Sequence, residues 1–402
     1  LEFYSVSWLN LVSIAVLVAM SPYILFLGIS GFITLGRRRP QPEIESKQAA
    51  VTFAVVIPAH NEGLSIGRTI ASLQRVEYPA DRLQIIVVAD NCDDDTAMIA
   101  RSAGVFVLER RDEKRRSKGH ALADVLPRIL GDQKFTAVQA VVVVDADTLV
   151  DPQALRALQA PLLGGGRWIQ GLDVVANEME SWRTKLMAFG FALFNGTFQI
   201  GTQFITGSAH LRGNGMCFSR EALERVPWQA GGLAEDLEFS WRLRLAGESV
   251  QFIPTAIFRA EMPISGRVSV SQRRRWEKGR HGLWAQLRKP ILQANAPKTR
   301  KILWAIDLTM PSFTTIVAWY LVSVMAFVAS GFGVASLSRI ANAILLASYG
   351  LFLGVYVLSP FLRFGLPWAT LTALVQLPYY ALWRTVIALG RAPRRWVRTE
   401  RR

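Results

Sequence analysis

The chain of 402 residues is long enough for one sizeable soluble domain with membrane segments, or for two to three domains. Hydrophobic residues make up 51% and charged residues 19%, which is apolar for a soluble protein of ordinary composition and directs attention to membrane segments. The formal charge of +15 fits an anionic partner, whether nucleic acid, a membrane surface or a phosphorylated substrate, and the two cysteines, Cys92 and Cys217, exclude a disulfide framework.

Trp8 to Leu35 is the first apolar zone, and Arg37-Arg38-Arg39 follows it. It exceeds the ~20 residues that cross a bilayer, so residues 1–40 read as a transmembrane anchor with Pro22 as a tolerated kink. A signal peptide, the alternative, has a shorter apolar core and carries its basic cluster in front. Charge sets the orientation: Arg37–Arg39 and the domain behind them are expected on the cytoplasmic side of the inner membrane.

From Val51 to about Pro263, β-rich runs alternate with helical stretches. "VTFAVVIPA", "LQIIVVAD", "VFVLER" and "AVVVVDAD" read as strands; "SIGRTIASLQRV", "DTAMIARSAG" and "KGHALADVLPRIL" read as helices. Strands buried on both faces with crossover helices imply an α/β domain over residues 50–265, built on a mostly parallel sheet. Ligands of such sheets bind beyond the carboxyl ends of the strands. Polar residues stand there: His60-Asn61-Glu62 just after Pro58, then Asp90, then Asp145-Ala146-Asp147. Two close carboxylates repel unless a cation lies between them. A hard divalent ion held by one or two carboxylates and diphosphate oxygens is the usual answer; the other reading makes Asp145 and Asp147 strand-end and helix-cap residues.

Further along, Gly213 and Gly215 flank Asn214, a backbone suited to close ligand approach. Glu235 and Asp236 open a helix, where acidic residues also favour the helix dipole. Gln272, Arg275 and Trp276 lie in a basic, aromatic stretch, residues 266–310, that also reads as amphipathic helix on a membrane surface. Residues 311–390 turn apolar again. Pro311–Ala335 and Ile340–Phe361 are each long enough to span, whereas Pro378 and Arg384 interrupt Gly365–Gly390, which reads as interfacial or re-entrant. The arginine-rich tail, residues 391–402, is expected in the cytoplasm, which requires an even number of crossings after the α/β domain.

The "PAHNE" strand end, the Asp90 turn, Asp145-x-Asp147, the Glu235-Asp236 helix and "QRRRW" follow one another between Val51 and Gly282. In order and spacing they resemble the membrane-bound family-2 glycosyltransferases, the group of cellulose, chitin, hyaluronan and poly-N-acetylglucosamine synthases. The resemblance implies a GT-A nucleotide-sugar-binding fold. It implies inverting transfer from a UDP-sugar to a hydroxyl of a membrane-associated glycan or lipid-linked acceptor, in envelope or exopolysaccharide biosynthesis, with scope for export or assembly partners. Carried over residue by residue, Pro58, Glu62 and Asp90 would belong to the nucleoside site and Lys118 would approach the phosphates. Asp145 and Asp147 would hold Mg²⁺ or Mn²⁺ against the diphosphate, and Asp236 would be the general base. Gln272, Arg275 and Trp276, with Glu235, Gly213 and Asn214, would line the acceptor and diphosphate region, and Arg275 would act in catalysis by stabilising the charge of the departing diphosphate.

The chain departs from the family pattern at the second strand, where D-D-G-S-x-D is usual and "ADNCDDDT" stands. Asp90 and Asp94 match; Asn91 and Cys92 replace Gly-Ser, and asparagine tolerates a left-handed turn. Within this class the rival is a processive synthase that secretes its own polymer. A transporter conflicts with the few ionisable residues in the apolar segments. A nucleic-acid binder conflicts with the lack of an RNA-binding aromatic motif. His60 and His120 read as satisfied histidines rather than ligands.

Overall fold

The computed structural model describes residues 8–37, 51–232, 234–264, 282–331 and 337–380. Helix α1 (Trp8–Gly36) leads into the α/β region, which runs β1 (Phe53–Ala59), α2 (Ile66–Leu73), β2 (Leu83–Asp90), α3 (Thr96–Ser102), β3 (Phe106–Arg110), α4 (Lys118–Gly131), β4 (Ala140–Val143) and β5 (Thr148–Val150). It continues through α5 (Ala154–Leu163), β6 (Trp168–Val175), α6 (Trp182–Phe191), a π-helical turn (Ala192–Thr197), α7 (Phe198–Thr206), β7 (Met216–Ser219), α8 (Arg220–Arg225), α9 (Glu235–Leu245) and β8 (Val250–Ala260). Residues 282–293 are helical, and α10 (Lys298–Thr309), α11 (Phe313–Ala329), α12 (Leu337–Phe364) and a 3₁₀ stretch (Trp368–Gln376) follow.

The strands form one sheet in the order β3-β2-β1-β4-β7-β6-β8-β5. The four strands read from the sequence are its parallel half, with Phe53 opposite Leu83 on one side and Ala140 on the other. Beyond them β7 runs antiparallel between β4 and β6, so the whole sheet is mixed. The side-chain alternation explains why β1 and β4 are central. Ala54, Val56, Val141 and Val143 join one core cluster, and Phe53, Val55, Ile57, Ala140 and Val142 join the cluster on the opposite face. Both faces are apolar, so each strand must be covered on both sides. Burying one such valine contributes about 1.5–3 kcal/mol. Two like charges at about 5 Å repel by roughly 3 kcal/mol at an effective dielectric near 20. The buried β4 therefore tolerates a pair of acids at its tip. Strand order reverses at β1, whose chain leaves toward β2 while β4 lies on its other side, and such a switch point opens a crevice for ligands.

Helix α1 has 29 residues, a length of ~43 Å, and α12 has 28; both are long and apolar enough to cross a membrane. α10 and α11 meet at a 92° bend, so together they make at most one further span. Leu11, Val18 and Phe32 on α1, Met325 on α11, and Ile344, Leu351 and Leu362 on α12 are exposed apolar side chains, which suits lipid rather than water. Their inner faces pair polar groups instead: Asn342 Nδ2 donates to Asn10 Oδ1 at 2.7 Å, and the Ser21 and Tyr349 hydroxyls meet at 2.5 Å. The α/β domain is seated on this bundle through α7, whose Phe198 ring lies 5.5 Å from that of Phe26, and through the π-turn, whose Leu193 carbonyl accepts the Tyr356 hydroxyl at 3.1 Å. Gln272, Arg275, Trp276, Arg38, Arg39 and the tail after Tyr380, with most of the Gly365–Gly390 segment's second half, lie outside the described residues.

Candidate functional site

The switch point is lined by three turns. The turn after β1 carries His60, Asn61 and Glu62, and the turn after β2 starts at Asp90. Both turns need left-handed backbone, and asparagine supplies it: φ is +56° at Asn61 and +51° at Asn91. The replacement of the usual glycine by Asn91 is thus accommodated. Asn61 Oδ1 accepts the Asp93 N–H at 2.8 Å, and Asp94 accepts the N–H groups of Gly63 and Thr96, both at 3.0 Å, so Asp94 staples one turn to the other. His60 Nδ1 lies 2.7 Å from the Asp90 carbonyl and His120 Nδ1 lies 2.8 Å from Ser117 Oγ, which satisfies both histidines locally.

Asp90 is buried, and its Oδ1 accepts from Arg110 Nη1 at 2.7 Å and from Asn91 Nδ2 at 2.8 Å. Arg110 also holds Asp124 at 2.7 Å. Burial pushes the Asp90 carboxyl up against the pull of Arg110. The contacts of Arg110 and Asn91 with Asp90 both fall on Oδ1. Arg110 was not legible as a site residue, because it sits in an arginine-rich run. Glu62 turns its carboxylate to Ser65 Oγ at 2.9 Å, at the start of α2, while its N–H donates to Thr96 Oγ1 at 2.8 Å. Pro58 stands next to last in β1, opposite Val88.

The third turn follows β4 directly. The strand ends at Val143, two residues before Asp145, and β5 begins at Thr148, so Asp145 and Asp147 occupy a tight connection between two strands rather than a helix cap. The Thr69 hydroxyl holds the Ala146 carbonyl at 2.9 Å, and Asn214 Oδ1 accepts the Asp145 N–H at 3.1 Å. Lys118, the first residue of α4, pairs its ammonium with Asp145 Oδ1 and with the Gly213 carbonyl. Burial works against that charge, yet Asp145, Glu235 and Asp236 hold the lysine above its usual range.

Gly213 and Gly215 adopt φ of +82° and +68°, which fixes glycine at both places. A methyl group on Gly213 would lie 3.5 Å from Asp236 Oδ2 and 3.6 Å from Lys118 Nζ, so the bare backbone separates base candidate from cation. Asp236 sits in the first turn of α9, where Oδ1 accepts the Leu237 N–H at 2.8 Å; burial raises its carboxyl. Glu235 packs over Gly119 at the start of α4. Arg212 stacks on the Phe194 ring at 3.8 Å beside Asp236, lining a small cavity with Phe198, Leu237 and Leu308.

The structure thus gathers Lys118, Asp145, Asp147, Gly213, Asn214, Glu235 and Asp236 at one edge of the sheet, with Asp90 and Glu62 on the neighbouring turns. Sequence reasoning missed a further acid, Asp173 on β6. It is buried, and burial, with Asp145 and Asp147 nearby, raises its carboxyl well above the usual range. Asp145 and Asp147, two acids on one tight turn, fit a hard divalent cation. Among the described residues no group of three or more His, Cys, Asp or Glu side chains forms a complete cage. Asp145 and Asp147 would therefore share such an ion with oxygens of a bound ligand. In the same sense the Lys118 ammonium is a stand-in for positive charge at Asp145.

Comparison with known proteins supplies the family and the fold. The family described as glycosyltransferase like family 2 matches residues 50–279, more than half of the chain. A probable glycosyltransferase of Bacillus subtilis is 28% identical over 280 residues, covering 67% of this chain and 65% of that protein. A beta-monoglucosyldiacylglycerol synthase of Synechocystis is 28% identical over 235 residues, covering 56% of this chain and 47% of that one. A poly-beta-1,6-N-acetyl-D-glucosamine synthase of Staphylococcus epidermidis is 25% identical over 57% of this chain and 54% of that one. The chain thus spans about half to two thirds of the length of these relatives. Among solved structures, a mannosyltransferase of Pyrobaculum calidifontis, in complex with GDP-Man and Mn²⁺, superimposes with a TM-score of 0.55 at 19% identity, covering 88% of this chain and 98% of that one. That likeness makes the sheet a GT-A fold.

Proposed function

The chain belongs to glycosyltransferase-like family 2, and from that premise we propose that it transfers a sugar from a UDP-sugar, with inversion, to a hydroxyl of a membrane-associated glycan or lipid acceptor. The observation that carries the reading is the convergence of Lys118, Asp145 and Asp236 on Gly213, at the ligand edge of a domain seated on apolar helices. The relatives named as a glycolipid synthase and as a polysaccharide synthase support a membrane-associated acceptor.

In this reading Pro58, Glu62 and Asp90 belong to the nucleoside end, and Lys118 reaches the phosphates. Asp145 and Asp147 would hold Mg²⁺ or Mn²⁺, which when bound offsets the charge of the departing diphosphate. Asp236 takes the proton of the acceptor hydroxyl as it attacks the anomeric carbon. Burial makes its carboxylate a stronger base than an exposed one, which suits proton abstraction near neutral pH. Gly213, lacking a side chain, leaves room for the reacting atoms between Asp236 and Lys118. Asn214 anchors the Asp145 turn. Glu235, Gln272, Arg275 and Trp276 are assigned to the acceptor and diphosphate region by family resemblance. The orientation that places the domain at the cytoplasmic face of the inner membrane rests on Arg37–Arg39.

The test is reconstitution of the purified protein in lipid vesicles with a panel of labelled UDP-sugars and Mn²⁺. A single labelled lipid band is the expected result. A high-mass ladder would make the enzyme processive. Transfer only from GDP-sugars would overturn the UDP assignment, and no transfer from any nucleotide sugar would overturn the enzymatic reading.

A further inference from the structure

Asp173 takes no part in the chemistry above, yet it is a carboxylate placed inside the fold on β6 with 6% of its surface exposed. Leaving such a group without compensation costs several kcal/mol. Its partners show what it holds. The Asn214 side chain is oriented by its oxygen, because Oδ1 accepts the Asp145 N–H at 3.1 Å. Its Nδ2 therefore faces the other way, donating to Asp173 Oδ1 at 2.8 Å and to Thr148 Oγ1 at 3.0 Å. In the sheet, the chain just before β7 lies between β4 and β6, and Asn214 bridges that gap. The second Asp173 oxygen accepts Asn195 Nδ2 at 3.3 Å. Asn195 belongs to the π-turn, and Thr197 of the same turn meets Ser359 of α12 at 2.7 Å.

An acid suits this position for a chemical reason. Two amide NH₂ groups point at it, one at each oxygen, and a carboxyl group places an oxygen at both positions, whereas an amide would turn a donor toward one of them. We infer that Asp173 is a positioning residue: through Asn214 it fixes the backbone of Asp145 and so the angle at which the Asp145-Ala146-Asp147 turn presents its carboxylates. This rests on the reading of Asp145 and Asp147 as the cation site.

The test reads cation binding directly. Mn²⁺ is titrated with UDP into wild type, Asp173→Leu, Asp173→Asn and Asn214→Ala, followed by calorimetry and by the Mn²⁺ electron-spin signal, with thermal unfolding run alongside. Asp173→Leu and Asn214→Ala are expected to weaken Mn²⁺ binding by about tenfold or more. Combining Asp173→Leu with Asn214→Ala should add little, because both cut the same arm. Asp173→Asn keeps one acceptor for Asn214 and should stay within about threefold of wild type. If Asp173→Leu fails to fold, Asn214→Ala and Asp173→Asn decide the matter between them. Wild-type Mn²⁺ affinity in folded Asp173→Leu or in Asn214→Ala overturns the inference, as does an Asp173→Asn variant no better than the leucine one. Wild-type protein that binds no Mn²⁺ with UDP overturns the functional reading, and this inference with it.

Discussion

The loop from His210 to Gly215 has an ionic cluster on each side, and the two differ in access to water. On one side Lys118 and Asp145 pair with side chains that are 19% and 39% exposed. On the other, His210 and Arg244 close on Asp307 at 2.9 and 2.6 Å, and all three side chains are 2–3% exposed. Asp307 belongs to α10, whereas His210 and Arg244 belong to the α/β domain, so the sealed cluster ties α10 to that loop. An open pair exchanges its partner for a phosphate or a cation at small cost, because water screens the intermediate stages. A sealed one does not, since breaking it leaves a buried charge uncompensated. The open cluster is therefore suited to chemistry and the sealed one to holding geometry.

The largest effect should come from the sealed side. Asp307→Ala leaves Arg244 buried without its carboxylate and is expected to cost about 3–5 kcal/mol of stability. Thermal unfolding in detergent measures it. Turnover per folded molecule should fall far less than stability, and a variant as stable as wild type would break the contrast.

On the open side, Asp236→Asn should cut turnover by roughly 10²-fold or more, about 2.7 kcal/mol, while the unfolding temperature and donor binding stay near wild type. Asparagine is also a good helix-start residue, so a purely structural Asp236 would give near-normal turnover.

A pH dependence sharpens the comparison. Burial, with Arg244 and Arg212 nearby, lowers His210 to about 4 even though Asp307 pulls the other way. The folded state thus keeps a neutral imidazole where the unfolded chain protonates near 6.5. As pH falls below 6.5 the unfolded state binds the extra proton, so this contribution is complete above 6.5 and is lost progressively toward pH 4. The unfolding temperature should drop over that window. In His210→Gln, which has no proton to take up, the drop should flatten, and the difference between the two curves isolates the histidine. Identical slopes would contradict the assignment.

The smallest effect is expected for Glu235→Gln. The stem of its side chain packs at the start of α4, one residue from the proposed base, so turnover should fall less than in Asp236→Asn. Equal or greater loss would move proton abstraction to Glu235.

The parallel half of the sheet was readable because its strands are apolar on both faces and its acids come at strand ends, as at Val143 and Asp145. The left-handed turn at Asn91 was readable for the same local reason. What was not readable depends on distant pairing. β6 carries Gly171 and Asp173 within its run, β7 has four residues, and their order is set by contacts along the whole domain. Arg110 meets Asp90 across 20 residues, and Asp307 meets His210 across 97 and Arg244 across 63; nothing local in either partner announces the other. Asp173 was missed because a single acid inside a strand has no motif around it.

The open cluster carries the proposed chemistry most directly. Calorimetric titration of a UDP-sugar into wild type and into Asp145→Asn with Asp147→Asn, each with Mn²⁺ and with a chelator, tests it in one series. The expected result is donor binding that depends on Mn²⁺ in wild type and loses that dependence in the double variant, at unchanged unfolding temperature. Metal-dependent donor binding of wild-type strength in the double variant would contradict the account.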